Sequence, residues 1–107
     1  MHAELPLIVA AFAGGLYNIL PHGIIEMDND GITTELLEEA IGSDKPEVIE
    51  DYPEDKRGPS CLLLGWTAQQ RPIHACIGYR GSKPLVITAY RPDLCSHKWN
   101  RGFRSRR

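Results

Sequence analysis

Histidine, tyrosine and arginine side chains concentrate in one stretch of the sequence, RPIHACIGYRGSKPLVITAYRPD, which spans residues 71–93. His74 alternates with apolar residues in the first of two apolar runs, so a strand there would place it on the opposite face from them. Antiparallel pairing of the two runs would set Thr88 or Tyr90 beside His74. An imidazole and a phenol on one sheet face could transfer protons, for example at a ribose 2′-hydroxyl.

A structural role explains the same residues equally simply. Buried polar side chains are usually hydrogen-bonded, and a histidine in a half-buried sheet is more often a satisfied core residue than a catalyst. From residue types alone, this interpretation of His74 is the better supported. His22 is a further candidate, where a loop enters an expected helix and the helix dipole disfavours imidazolium. It could be a neutral base or a helix cap, and the sequence does not decide between them.

Arginines that could bind phosphate lie around this stretch. Arg71 and Arg91 flank the two apolar runs, and Arg57 begins RGPS, which is also an ordinary turn sequence. The segment from about residue 98, KWNRGFRSRR, carries five cations and no acid: Lys98, Arg101, Arg104, Arg106 and Arg107.

This C-terminal segment has two interpretations of equal weight. It could bind phosphate or an acidic partner, or it could be a solvated and frayed terminus. Trp99 and Phe103 lie among its cations and could stack on single-stranded RNA. Aromatic residues in such segments more often anchor the chain to the core, and we favour that role.

Composition limits the classes of protein. A length of 107 residues with 42% hydrophobic residues predicts one domain with a modest core. The net charge of −2 excludes a basic field over the whole protein. Three cysteines without a CxxC pair argue against a zinc knuckle or a disulfide scaffold, so a reducing cytoplasm is the expected location. The sequence contains no Walker loop, Rossmann fingerprint or HExxH motif, and we expect neither a metal nor a cofactor.

The apolar N-terminal segment LPLIVAAFAGG resembles a targeting signal only superficially. No Lys or Arg precedes it, and its apolar core is short and begins with a proline. It is also too short for a confident membrane span. We therefore expect a core-packing helix over about residues 5–14 and no association with a membrane.

The remaining elements follow from periodicity and turn signals. A second helix is expected from about Pro21 to Asp28, and a short amphipathic one over about 34–41, with Thr33 as its N-cap. Four runs then predict strands: EVIEDY, SCLLLGWT, IHACIGY and PLVITAY. The fold class is thus α+β, with two or three N-terminal helices packed on a four-stranded, mostly antiparallel sheet.

Several motifs, taken in order, resemble one known family. These are GLYNILPH, EMDNDGIT, EVIEDYPEDKRGPSCLLLG, RPIHACIGY and ITAYRPD, followed by Trp99. The series is similar to a bacterial family of domains of unknown function, often encoded beside zinc-finger antitoxins of the MqsA type. That family is more loosely similar to RelE/ParE-like and BrnT-like toxins.

The resemblance implies a toxin of a toxin–antitoxin pair that cleaves mRNA without a metal. It implies roles in proton transfer for His22, His74 and Tyr90, and phosphate contacts for Arg57, Arg71 and Arg91. We add Arg101 and Arg104 from the C-terminal segment as substrate-binding candidates. Many relatives carry arginines in an HxxxRxxxR pattern that begins at the first histidine. Here Glu26 and Asp30 replace them, and these anions should repel RNA.

Two hypotheses from different classes follow. The first is a cytoplasmic toxin, an mRNA endoribonuclease neutralised by an antitoxin protein. The second is a non-enzymatic protein-binding module, in which histidines and tyrosines are structural and the acidic helix region and basic C-terminal segment dock a partner. A homodimer is compatible with either.

Overall fold

The computed structural model describes residues 2–43, 45–81 and 83–107 and confirms the α+β class. Within these residues the helices are α1 (Leu5–Ala13), α2 (Pro21–Asn29) and α3 (Thr34–Ile41), followed by a 3-10 helix (Pro92–Lys98). The strands are β1 (Asn18–Ile19), β2 (Glu47–Tyr52), β3 (Ser60–Trp66), β4 (Pro72–Gly78) and β5 (Leu85–Tyr90).

Local sequence explains where the α-helices begin. Pro6 and Pro21 occupy first turns, where the missing N–H of proline breaks no helical hydrogen bond. The Thr33 side chain caps α3 by accepting a hydrogen bond from the Leu36 N–H at 3.1 Å, as the capping signal predicted. Each α-helix ends within one residue of its expected boundary.

The four longer strands form the expected antiparallel meander. In its register Leu64 pairs with Glu47 of β2 and with His74 of β4, and His74 pairs with Tyr90 of β5. These four residues form one row across the sheet, and paired residues in a sheet project to the same face. The register therefore places His74, Tyr90, Glu47 and Glu50 on one side of the sheet.

The expectation of a four-stranded sheet was wrong in one respect. In the described part of the chain the sheet has five strands in the order β1-β5-β4-β3-β2, and β1 runs parallel to β5. With two residues, β1 is too short to produce an alternating pattern. The 3-10 helix was also not expected, because its turn-rich sequence carries no apolar period.

Two apolar clusters lie on opposite faces of the sheet. The larger packs under the α-helices and consists of Ile8, Phe12, Met27, Ile32, Leu37, Ala40, Ile41, Cys61, Leu63, Ile73, Ala75, Ile77, Val86 and Ala89. A Cβ added at Gly65 would lie 2.2 Å from the Ala40 carbonyl oxygen, so α3 packs directly on the β3 backbone. No helix in the described ranges has the length and hydrophobicity needed to cross a membrane.

The second cluster lies under residues 99–106, here called the C-terminal hairpin, in which Trp99 and Arg106 form an antiparallel bridge. Trp99 is 2% exposed and covers His74, which confirms its expected anchoring role. Arg104 and Arg106 each donate to a carboxylate of β2, at 2.8 Å from Glu47 and Glu50. The C-terminal segment is therefore packed against the sheet and is not a frayed terminus.

Candidate functional site

His74 and Tyr90 lie side by side on the face of the sheet away from the α-helices. They are direct cross-strand partners, with ring centroids 5.3 Å apart and ring planes at 84°. Thr88, the other residue considered, pairs with Cys76 instead. The expected juxtaposition of imidazole and phenol is therefore confirmed.

Two hydrogen bonds determine which nitrogen of His74 carries the proton. Nε2 lies 2.9 Å from the Phe103 carbonyl oxygen, which can only accept, so Nε2 is the donor. Nδ1 lies 3.2 Å from the Tyr90 hydroxyl and therefore accepts its proton. Both nitrogens of a neutral imidazole are thus satisfied.

Burial decides how this pair can act. His74 is 0% exposed and packs edge-on against Trp99, with ring centroids 4.3 Å apart. Burial lowers the pKa of His74 below its usual 6.5, against an opposing hydrogen bond to Phe103. Burial likewise raises the pKa of Tyr90. Both shifts disfavour transfer of the phenolic proton to the imidazole, because the phenol becomes a weaker acid and the imidazole a weaker base. Trp99 covers His74, so direct proton transfer between His74 and a substrate would require the C-terminal hairpin to move.

Tyr90 also borders an open cleft of about 500 Å³, here called the Tyr90 cleft. Its walls come from α2, β5, the 3-10 helix and the C-terminal hairpin. Three cationic side chains line it: Arg91, Lys98 and Arg106. Lys98 and Arg106 were not among the residues singled out for substrate binding, because a run of cations near a terminus does not show which of them face a cleft.

The cations of the Tyr90 cleft differ in how firmly they are held. The Arg106 guanidinium donates two hydrogen bonds to Glu50 and stacks over the Trp99 ring at 4.7 Å. Arg91 is paired with Asp93 at 3.0 Å. Lys98 is exposed and has no ion pair within the described ranges. It is therefore the cation most free to move toward a ligand.

Two acidic residues of the Tyr90 cleft accept hydrogen bonds from backbone N–H groups at the edge of β5. Glu26 accepts a hydrogen bond from the Ala89 N–H at 2.9 Å, and Asp30 accepts one from the Arg91 N–H at 2.8 Å. β1 pairs only with Leu85 and Val86 of β5. Further along β5, the two carboxylates accept the hydrogen bonds that a neighbouring strand would otherwise accept. In the sequence, only their spacing of four residues indicates that Glu26 and Asp30 lie on the same face of a helix and could act together.

A second, smaller cleft of about 300 Å³ brings together two of the expected phosphate-binding residues. Arg71 and Arg91 line it above an apolar floor that includes Ile32, Leu36 and Ile73. Arg91 lies at the boundary of both clefts. Arg71 immediately precedes β4, whereas Tyr90 and Arg91 lie at the end of β5. Because β4 and β5 are antiparallel, the start of one lies beside the end of the other, and the three residues are brought together.

The other expected site residues lie elsewhere. His22 is exposed in the first turn of α2, where Leu20 occupies the N-cap position, so His22 is not the cap. Arg57 lies 3.8 Å from Asp55 in the loop between β2 and β3. Arg104 binds Glu47, and Arg101 is exposed in the turn of the hairpin. None of these four described residues lines the Tyr90 cleft.

Metal-ligating residues are scattered. No group of three or more His, Cys, Asp and Glu side chains within residues 2–43, 45–81 and 83–107 is arranged to hold a metal ion. Cys61, Cys76 and Cys95 are free thiols, and burial raises the pKa of Cys61 to about 12. That thiol is therefore a packing group of the core and a poor nucleophile.

Comparison with protein families identifies the chain. A family model described as "Domain of unknown function (DUF4258)" matches residues 19–91, from β1 to the residue after β5. The chain belongs to this family, whose matched region contains α2, α3, the sheet and both His74 and Tyr90. Comparisons with curated proteins and with solved structures found no match.

Proposed function

We propose that this chain is a small cytoplasmic toxin-like protein that binds RNA in the Tyr90 cleft. The observation that carries the proposal is the convergence of a phenol and three cations on one open cleft of about 500 Å³. Cations hold phosphate, and a tyrosine ring can contact an unstacked base. The resemblance to toxin-like families supports an antitoxin protein as the natural partner.

The same constellation suits RNA cleavage by the substrate's own 2′-hydroxyl. Tyr90 directs its proton to His74, so a lone pair of its oxygen is free to accept a hydrogen bond from that hydroxyl. Lys98 and Arg106 would stabilise the charge that develops on the phosphate. In this scheme His74 positions the phenol from behind and does not contact the substrate. The 2′-oxygen attacks the adjacent phosphorus as the P–O5′ bond breaks, which leaves a 2′,3′-cyclic phosphate. Water in the open cleft takes up the hydroxyl proton and protonates the departing 5′-oxygen. The nucleophile belongs to the RNA, so the chemistry needs no bound cofactor.

Electrostatics predicts how strongly RNA would bind. Glu26 and Asp30 line the same cleft, and Arg106 already faces Glu50, so the net positive charge is small. We expect weak binding with a shallow salt dependence, because the slope of log affinity against log salt scales with the number of phosphates neutralised, and this cleft can neutralise few.

Induced expression in a bacterial host tests the proposal. The wild-type chain should arrest growth and cleave a reporter mRNA. Lys98→Ala and Tyr90→Phe should relieve both effects by about tenfold or more, because each removes a group that contacts RNA. Lys56→Ala, which changes an exposed lysine of the loop between β2 and β3, is the matched control and should remain toxic.

Normal growth and intact mRNA, from well-folded protein at equal soluble levels, would contradict the proposal. Toxicity that survives both cleft substitutions would place the activity elsewhere. Anisotropy titration of a labelled single-stranded RNA with the purified proteins measures binding independently of growth and mRNA cleavage, and Lys98→Ala should weaken it.

A second candidate function is a non-enzymatic protein-binding module. The observation that favours it is that His74 has both nitrogens hydrogen-bonded inside the fold, while Arg104 and Arg106 are bound to acids of β2. These groups then stabilise structure and have no substrate role. Wild-type expression without growth arrest or RNA binding is the outcome expected for this candidate.

A further inference from the structure

The smaller of the two clefts, which Arg71 and Arg91 border above an apolar floor, is named here the Arg71 cleft. Among the described residues, none of those that line it is acidic. The Tyr90 cleft differs, because Glu26 and Asp30 line it beside its cations. The Arg71 cleft therefore offers positive charge to a ligand without an opposing carboxylate on its walls.

Both arginines of the Arg71 cleft retain hydrogen-bond donors. Arg71 is exposed, and its guanidinium has no ion pair within the described ranges. Arg91 donates to Asp93 from Nε at 3.3 Å and from Nη2 at 3.0 Å, so this pairing does not use Nη1. Because Asp93 offsets one of the two positive charges, a monoanion balances the charge that remains.

The turn between β3 and β4 fixes the backbone of Arg71. The Thr67 N–H donates to the Arg71 carbonyl at 2.9 Å, and the Arg71 N–H donates to the Thr67 hydroxyl oxygen at 3.2 Å. The Gln70 N–H donates to the Thr67 carbonyl at 2.9 Å. Only the side chain of Arg71 therefore has to be ordered when a ligand binds, which limits the entropic cost of binding.

The floor of the Arg71 cleft is aliphatic and already formed. Ile32 and Ile73 belong to the core, with 5% and 1% of their surface exposed, and Leu36 is half-buried beside them. The cleft has a volume of about 300 Å³. A cavity of roughly 150 Å³ holds one benzene molecule, so this cleft has room for one short apolar group and a charged head.

We propose that the Arg71 cleft binds a small carboxylic acid. Arg71 and Nη1 of Arg91 would hold the carboxylate, because the planar fork of a guanidinium matches the two oxygens of that group. The apolar group of the acid would lie over the aliphatic floor. The proposal goes beyond RNA binding, because Arg91 is the one described residue that lines both clefts.

The walls of the Arg71 cleft favour a carboxylic acid over two phosphate ligands. An RNA phosphodiester is also a monoanion, but unstacked bases are held by stacking on aromatic side chains or arginine planes. No aromatic residue is among the described residues that line this cleft. A phosphate monoester carries nearly two negative charges at neutral pH, more than the charge that remains here.

NMR titration of the isotope-labelled full chain tests the proposal. The probes are 3-phenylpropionate and 4-methylpentanoate, the neutral amide of each, and acetate. The two acids should bind with dissociation constants in the millimolar range or tighter and shift the methyl signals of Ile32 and Ile73. The amides lack the charge and acetate lacks the apolar group, so each should bind at least about tenfold more weakly.

Variants assign the binding to the Arg71 cleft. Arg71→Gln should weaken binding of both acids by about tenfold or more, and Arg71→Lys should give an intermediate affinity, because it keeps the charge and loses the fork. Arg80→Gln, at an exposed arginine between β4 and β5, is the matched control and should leave binding unchanged. Lys98→Ala should weaken RNA binding but not acid binding, which separates this proposal from the one for the Tyr90 cleft.

Three results would overturn the proposal: no saturable shifts with either acid, equal binding of the acids and their amides, or binding that survives Arg71→Gln. An acetylated Gly-Gly-Leu tripeptide with a free carboxylate that binds more tightly than 4-methylpentanoate would replace the small acid by the C-terminus of a protein chain. Displacement of the acids by single-stranded RNA, with RNA affinity lost in Arg71→Gln, would assign the cleft to RNA.

Discussion

His74 joins three parts of the molecule through one side chain. It sits in β4, accepts a hydrogen bond from Tyr90 of β5 and donates one to the Phe103 carbonyl of the C-terminal hairpin. A histidine can do this only while neutral, because imidazolium has no acceptor nitrogen for the Tyr90 proton. The hydrogen bonds that give His74 a structural role therefore also make that role dependent on pH.

Stability should fall as pH is lowered below about 6.5. In the unfolded chain His74 binds a proton with its ordinary pKa near 6.5, whereas in the folded chain burial lowers that pKa. The unfolded state thus binds more protons in this window, so the free energy of unfolding rises with pH there. Urea unfolding at pH 7.5 and pH 5.5 measures the difference, which His74→Gln should reduce.

His74→Gln should also cost about 1–3 kcal/mol at pH 7.5, because it disturbs buried hydrogen bonds. The hydrogen bond from Arg104 lowers the pKa of Glu47, and for Glu50 burial, which raises the pKa, is outweighed by hydrogen bonds and the charge of Arg106, so neither carboxylate accounts for a change in this window. His97→Gln, at an exposed position, is the control and should keep the wild-type pH dependence. If His74→Gln also kept the wild-type pH dependence of stability, a group other than His74 would cause that dependence.

At the scale of elements, the edge of β5 is completed by a helix. β1 pairs with only the first part of β5, and α2 then supplies Glu26 and Asp30 as acceptors for backbone N–H groups further along. An unpaired N–H at a strand edge invites pairing with another chain. Arginine at either position could not accept a hydrogen bond, so the carboxylates of Glu26 and Asp30 are what joins this part of α2 to the backbone of β5.

Glu26→Arg should therefore destabilise the fold by about 1–3 kcal/mol, since the Ala89 N–H loses its acceptor. Glu26→Gln keeps an acceptor oxygen and should cost clearly less. Denaturant unfolding gives the free energies, and hydrogen exchange at the Ala89 amide reports the edge directly. Glu35→Arg, at an exposed site in α3, is the matched control. Equal stabilities for the two Glu26 variants would show that the hydrogen bond contributes little.

At the scale of the whole molecule, the C-terminal hairpin converts a half-covered sheet into a closed one. Trp99 covers His74, and Phe103 approaches Trp66 with ring centroids 6.4 Å apart. Phe103 has φ of 61°, which is uncommon for a bulky residue, and its carbonyl is the acceptor for His74. The hairpin is thus held by apolar burial and one buried hydrogen bond, with exposed ion pairs at its border.

Trp99→Ala should cost about 3–5 kcal/mol, because it removes a large buried side chain and opens the sheet face around His74. Arg104→Ala should change stability little, since its pair with Glu47 is exposed and screened by salt. Thermal unfolding and dye binding to exposed apolar surface measure both variants. Equal effects would mean that the ion pair of Arg104 with Glu47 holds the hairpin as strongly as Trp99 does.

Local rules in the sequence were sufficient for most elements. The cap at Thr33, the prolines of α1 and α2, the continuous apolar run of β3 and the alternation in β4 and β5 act within a few residues. The α+β class and the helix ends could therefore be predicted. Alternation also placed His74 and Tyr90 on one face, because side chains in strands alternate with period two.

Contacts between distant segments decided the rest. β1 exists because β5 offers it an edge, and Glu26 and Asp30 act as acceptors because α2 lies along that edge. Whether His74 is a catalyst or a core residue depended on where residues 99–106 fold, 25 or more positions away in the chain. Residue type and spacing therefore determined which groups share a face, and only the tertiary structure determined which of them meet solvent, since exposure depends on what packs above them.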